Sequence, residues 1–168
     1  MSIIQDLQSL NFHDATLMSV HLQLGQGSNR SAEIELVYYD WEGNSARREI
    51  APDAPWQTKQ LHVKFAFLAH IEFSAPDLVN RAQDIDCAEV GYKLELFEAR
   101  HTDFKRQFPK GRYPLFDGET EVVSLRLETQ NNDENSTGYL WVVGNDVKLE
   151  WGPPDFSHGQ THVPLRDA

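Results

Sequence analysis

Cysteine is almost absent. Cys87 stands alone among 168 residues, so no disulfide can close within the chain. A lone thiol suits a reducing compartment and is expected as a small buried or half-buried side chain. Long apolar runs are missing too: no stretch nears the about eighteen residues of a membrane-crossing helix, and MSIIQDLQSLNFHDA has neither the basic flank nor the apolar core of a secretory signal. The expectation is a soluble, cytoplasmic chain. Cations are in deficit, 15 Lys and Arg against 26 Asp and Glu, for a net charge of -11. That balance disfavours nucleic acid and anionic membranes and leaves a basic protein as the easier partner. Catalytic signatures are lacking: there is no GxSxG, no phosphate-binding glycine loop, no HExxH and no CxxC. No metal or cofactor is expected, and catalysis is the minority reading. Repeats and low-complexity tracts are also absent, and nothing in the composition forces an oligomer.

What is present is a long alternation. From Leu61 to Phe73 every odd position is apolar, whereas the even ones include His62, Lys64, His70 and Glu72, a period of two that only a pleated strand satisfies. Thirteen residues would extend roughly 43 Å, beyond the usual strand, so a bend or bulge is expected, with 66 to 69 the corner. Ahead of it, Ile3, Ile4, Leu7 and Leu10 have the spacing of a short amphipathic helix that plugs one end of the sheet. Met18, Val20, Leu22 and Leu24 alternate inward, as do Ile34, Leu36 and Tyr38 after the turn-rich Gly25 to Ala32, which predicts an antiparallel hairpin. Ala46 to Ile50 reads as a short charged edge strand.

After the long strand, Asp84, Asp86 and Glu89 read as an acidic connection, and Val90, Tyr92, Leu94 and Leu96 as a further strand. Residues 100 to 118 read as a long loop. Val123, Leu125 and Leu127 alternate again. Tyr139, Trp141 and Val143 mirror Val147, Leu149 and Trp151 across Gly144-Asn145-Asp146, the pattern of a tight hairpin. The expectation is an all-β, single-domain antiparallel sandwich or partly closed barrel with a short N-terminal helix, spanning 1–152, and an irregular tail over 153–168.

Several residues could carry function. His13-Asp14 precedes the first strand; a His beside a carboxylate can orient a proton transfer or bind a partner, and Asp14 can accept turn hydrogen bonds from backbone N–H groups. Arg100, Lys105, Arg106, Lys110 and Arg112 face only Asp103 within residues 100 to 112, a cationic stretch in an acidic chain, interleaved with Phe104 and Phe108. That mixture can grip an anionic ligand or partner. Trp41 and Trp56 follow the second strand, and such rings either join the core or line an apolar pocket. His158 and His162 lie four apart, but Pro154, Gly159 and Pro164 make a helix that would bring them together improbable.

The segment Leu10-Asn11-Phe12-His13-Asp14-Ala15, followed by an alternating strand and later by Val63-Lys64-Phe65, resembles a group of small bacterial all-β proteins that open with a Phe-His-Asp-Ala box. Some of that group are similar to immunity proteins that neutralise secreted toxins. The likeness covers the first half of the chain, brings no functional residues with it, and implies binding without chemistry. The sequence thus reads as a non-catalytic acidic binding or interaction module. A small-ligand-binding β-barrel with an aromatic pocket is the alternative, and a hydrolase using His13 and Asp14 comes third.

Overall fold

The computed structural model describes residues 2–25, 30–74, 84–107, 121–129 and 138–155. In chain order they form α1 (Ile3–Gln8), β1 (Thr16–Leu24), β2 (Arg30–Tyr39), α2 (Trp41–Ile50), β3 (Thr58–Phe73), β4 (Ile85–Val90), α3 (Leu94–Gln107), β5 (Val122–Thr129) and β6 (Tyr139–Asp155). All six strands belong to one antiparallel sheet ordered β1-β2-β3-β6-β5-β4. Two three-stranded meanders therefore join side by side through β3 and β6. The two-sheet sandwich does not form. The sheet is open, but its outer strands touch at a single bridge between Thr16 and Asp84.

The inner face carries the core. Ile34, Leu36, Leu61, Val63, Phe65, Leu125, Leu127 and Val142 are almost fully buried there, and removing their apolar surface from water is the main favourable contribution to folding. Leu7 of α1 is fully buried in the same cluster, with Ile3, Ile4 and Leu10 packed around it, so the helix plugs the sheet as its spacing predicts. Ser2 caps it: its hydroxyl accepts from the Ile4 N–H at 3.2 Å while its own N–H donates to Gln5 Oε1 at 3.3 Å.

The long strand bends where expected. Leu68 pairs with Gly144 and His70 with Val143, so Ala69 is an extra residue; Leu68 just before it is buried although Phe65 is the last buried residue ahead of it, and Phe73 after it is exposed. The hairpin expected at Gly144-Asn145-Asp146 is absent, because β6 runs straight through it, paired with β3 on one side and β5 on the other. Asp146 has φ +49°, and the irregularity there switches the side chains that face the core. Leu140 and Val142 face it before the switch, Val147 and Leu149 after it. The two halves mirror each other because they sit on opposite faces of one strand. The strand continues through Pro153 and Pro154 to Asp155, which pairs with Thr58, so the tail does not begin at 153; the rest of it, His158 and His162 included, lies outside the described residues.

Five further expectations are overturned. Residues 46 to 50 are the end of α2, not an edge strand, because Asp40 caps the helix through the Gly43 N–H at 3.0 Å and Arg47 and Arg48 sit in its last turn, where cations suit the helix dipole. The acidic stretch around Cys87 is β4 itself. The strand expected from Val90 to Leu96 stops at Gly91, whose φ of +92° turns the chain, and Lys93 follows at φ +47°. What was expected as loop from Arg100 onward is α3 as far as Gln107; residues 108–120 lie outside the described residues. Met18, Leu22 and Leu24, expected inward, are exposed. Among the described residues no helix is long and apolar enough to cross a membrane.

Candidate functional site: an aromatic platform beside an acidic seam

Tyr38 and Tyr39 end β2 on opposite faces, as successive strand residues must. Tyr38 points inward, edge-on to Phe12 and Trp151 at 6.3 and 5.2 Å between ring centres. Tyr39 points the other way and is covered by the excursion that follows it. Trp41 opens α2, and Trp56 lies just before β3 begins, where Thr58 pairs with Tyr39. The three rings converge: Tyr39 lies 4.7 Å from Trp41 and 5.6 Å from Trp56, and the two tryptophans are 5.6 Å apart. Arg48, seven residues after Trp41 and so on the same helix face, sets its guanidinium 4.7 Å over the Trp56 ring.

A polar clamp holds this excursion. Asn44 is 1 % exposed; its amide donates to the Gln57 carbonyl at 2.9 Å and its oxygen accepts from the Gln57 N–H at 2.8 Å and from Arg47. Asp40 ties the helix start to Lys59 at 2.9 Å. The tryptophans are left half-buried, with part of each ring open to solvent.

The Phe12-His13-Asp14-Ala15 box forms the adjoining seam, where β1 meets β4. Asp14 adopts φ +68°, which an Asp tolerates, and its N–H donates to the Ile85 carbonyl at 2.9 Å while the Ile85 N–H donates to Ala15 at 2.7 Å. The Thr16 hydroxyl donates to Asp84 at 2.8 Å. The turn acceptor expected of Asp14 is Asn11 instead, whose side chain takes the His13 N–H at 3.1 Å. The Asp14 carboxylate lies 2.9 Å from His13 Nδ1, and Asp86 lies 3.8 Å from Nε2. His13 is half-exposed between two carboxylates. That geometry can receive a partner's cation. Asp86 at 3.8 Å lies beyond hydrogen-bond reach for a proton relay, and among the described residues no group of three ligating side chains is placed to hold a metal ion.

Seam and platform lie at the same end of the β1–β2 pair, where Thr16 pairs with Val37 and Tyr39 ends β2 two residues on. Burial is the main cause that pushes the Tyr39 phenol up; the Asp14 charge adds to it and Arg48 opposes it. The Tyr39 hydroxyl is buried without a hydrogen-bond partner among the described residues. The fold thus joins His13, Asp14, Trp41 and Trp56, and adds Tyr39, Arg48 and Asp86, which sequence reasoning missed. A helical reading of 41 to 50 contains one signal for them, since it sets Trp41 and Arg48 two turns apart on one face.

The cationic residues belong elsewhere. Arg100, Lys105 and Arg106 are exposed on α3, with Arg106 3.0 Å from Asp103, while Lys110 and Arg112 lie outside the described residues. Helix α3 leans on the outer face of the β3–β6–β5 region, where Phe97 meets His70 at 6.0 Å and His70 meets Trp141 at 4.5 Å. Beneath it Trp141 donates to Ser124 at 2.9 Å and Arg126 lies between the Tyr92 and Tyr139 rings, at 4.4 and 4.8 Å. Cys87, expected buried or half-buried, is exposed; partial burial and the Glu128 carboxylate 3.5 Å away push its thiol up, which makes it a poor nucleophile. Among the described residues, an apolar groove of about 350 Å³ lies between Leu17, Met18, Val20 and Leu22 of β1 and Phe73 and Leu140, and the tryptophans of the platform do not line it. Comparison with protein-family models, curated proteins and solved structures finds no match to this chain.

Proposed function

We propose that this chain is a non-catalytic acidic interaction module that binds a basic protein, in the manner of an immunity protein. The contact surface is the Tyr39–Trp41–Trp56 platform and the Asp14–Asp86 edge beside it. The observation that carries the reading is three clustered rings with a stacked arginine, kept half-open by the Asn44 clamp and flanked by carboxylates. Trp, Tyr and Arg are the residue types that dominate binding energy at protein interfaces. Fixed carboxylates beside them steer a cationic partner into register and make association sensitive to salt. The Phe-His-Asp-Ala resemblance supports the immunity-like form of this reading.

The test is co-expression with the product of the adjacent gene. A stable complex is expected, weakened about thirtyfold by Trp41→Ala or Trp56→Ala, since about 2 kcal/mol per anchor is typical of such positions. Asp14→Lys with Asp86→Lys should slow association and flatten its salt dependence. Absence of a complex, or one indifferent to all four changes, overturns the proposal.

A further inference from the structure

Four polar residues line the apolar groove beside β1: Ser19, Ser74, Thr129 and Tyr139. Three of their hydroxyls are engaged. Ser19 donates to Glu35 at 2.8 Å, Ser74 accepts from the Tyr139 N–H at 3.0 Å, and the Tyr139 hydroxyl donates to Glu72. The fourth is not. Thr129 is 4 % exposed and its N–H donates to the Gly138 carbonyl at 2.8 Å, but its hydroxyl oxygen is buried without a hydrogen-bond partner among the described residues. Leaving a buried hydroxyl unpaired is costly, and such a group points to something that comes to pair with it.

The rest of the lining is apolar and runs from core to surface. Leu140 is a core residue and Leu17 and Val20 pack against the core, whereas Met18 at 51 %, Leu22 at 38 % and Phe73 at 64 % are exposed. None of the ten lining residues is Asp, Glu, Lys, Arg or His. At about 350 Å³ the groove is of the size of small-molecule sites, which are mostly apolar with a few placed polar groups.

We propose that this groove binds a small uncharged amphiphile, an apolar body carrying one hydroxyl or carbonyl group, with that group hydrogen-bonded to the Thr129 hydroxyl. The body covers Met18, Leu22 and Phe73, and the apolar surface so removed from water drives binding. A charged head group is disfavoured twice. The lining offers it no counter-ion, so it would be buried unpaired, and an anion is also repelled by a chain of -11. The site is separate from the tryptophan platform and stands whether or not that surface binds a protein.

Calorimetric titration of the full chain with 1-octanol, and with octanoate at neutral pH, tests this. One-to-one uptake of 1-octanol is expected, with octanoate weaker by about tenfold or more. Thr129→Val keeps the shape and removes the hydroxyl. It should weaken 1-octanol about fivefold, the worth of one neutral hydrogen bond, and raise the urea midpoint of the ligand-free chain, because the unpaired group is gone. Leu22→Glu changes an exposed position and sets a charge at the groove; it should keep the wild-type circular dichroism spectrum and weaken 1-octanol about tenfold. A chain that takes up no 1-octanol, or takes octanoate equally well, overturns the proposal. So does Thr129→Val with unchanged affinity, or with a lower midpoint, which would mean that the hydroxyl is already paired in the folded chain. Wild-type affinity in Leu22→Glu would put the alcohol elsewhere and overturn it too.

Discussion

A methyl group on residue 144 would sit 2.2 Å from the Phe67 carbonyl oxygen and 2.9 Å from the Phe65 ring, closer than any real carbon contact. Gly144 is therefore required for the close approach of β6 to β3, at the point where β3 carries its extra residue. Gly144→Ala should lower stability by about 1–3 kcal/mol, the usual cost of overpacking a tight site, read as a lower urea midpoint at unchanged slope; an unmoved midpoint would mean that the strands do not approach this closely. Sequence alone misassigned this residue for a physical reason. Gly, Asn and Asp all tolerate positive φ, and positive φ serves a hairpin turn and an irregularity inside a strand equally well. Similarly, His13 and Asp14 stood out as a histidine beside a carboxylate, but Asp86, 3.8 Å from the His13 ring, comes from 73 positions away.

At the scale of elements, α2 depends on contacts outside itself. Its sequence, WEGNSARREI, includes a glycine and few strong helix formers, and short charged stretches of this kind read equally well as an edge strand. The cap, the Asn44 clamp and the Asp40–Lys59 pair decide the matter. The hydrogen bond from Lys59 is the main cause that holds the Asp40 carboxyl below its ordinary 3.8, helped by the Gly43 N–H and opposed by partial burial. A carboxyl lowered in the folded state stabilises above its unfolded pKa and loses that contribution as pH falls through the folded value. Asp40→Asn keeps a competent cap but removes the charge. It should be the less stable protein at neutral pH, and its deficit should shrink on acidification below 3.8; thermal unfolding curves that stay parallel down the pH range would contradict this. The α3 segment was ambiguous for another reason. Its alternating Leu94 and Leu96 continue the rhythm of Val90 and Tyr92, and only the left-handed turn at Gly91 separates the strand from the helix.

For the whole molecule, the seam between β1 and β4 joins the two outer strands of the six-stranded sheet at one bridge. Its bonds are few: the amides of Asp14 and Ile85, and the Thr16 hydroxyl on Asp84. Thr16→Val keeps the shape and deletes the last of these. It should speed amide hydrogen exchange at Asp14 and Ile85 while Val63 and Val142, deep in the sheet, stay as slow as before; equal rates in both proteins would show that the seam holds without the hydroxyl. The all-β class, the N-terminal plug, a bend within 66 to 69 and the inward set Leu61, Val63 and Phe65 were all determined by the sequence, because hydrophobic periodicity is a local property that a strand or helix must obey wherever it packs. Which strands neighbour which, the passage of β6 through Gly144, and the placing of His13, Asp14, Trp41 and Trp56 at the same end of the β1–β2 pair were decided only by the tertiary structure. Those relations join residues far apart in the chain, and it is the packing of the sheet on its shared core, not any local pattern, that sets them side by side.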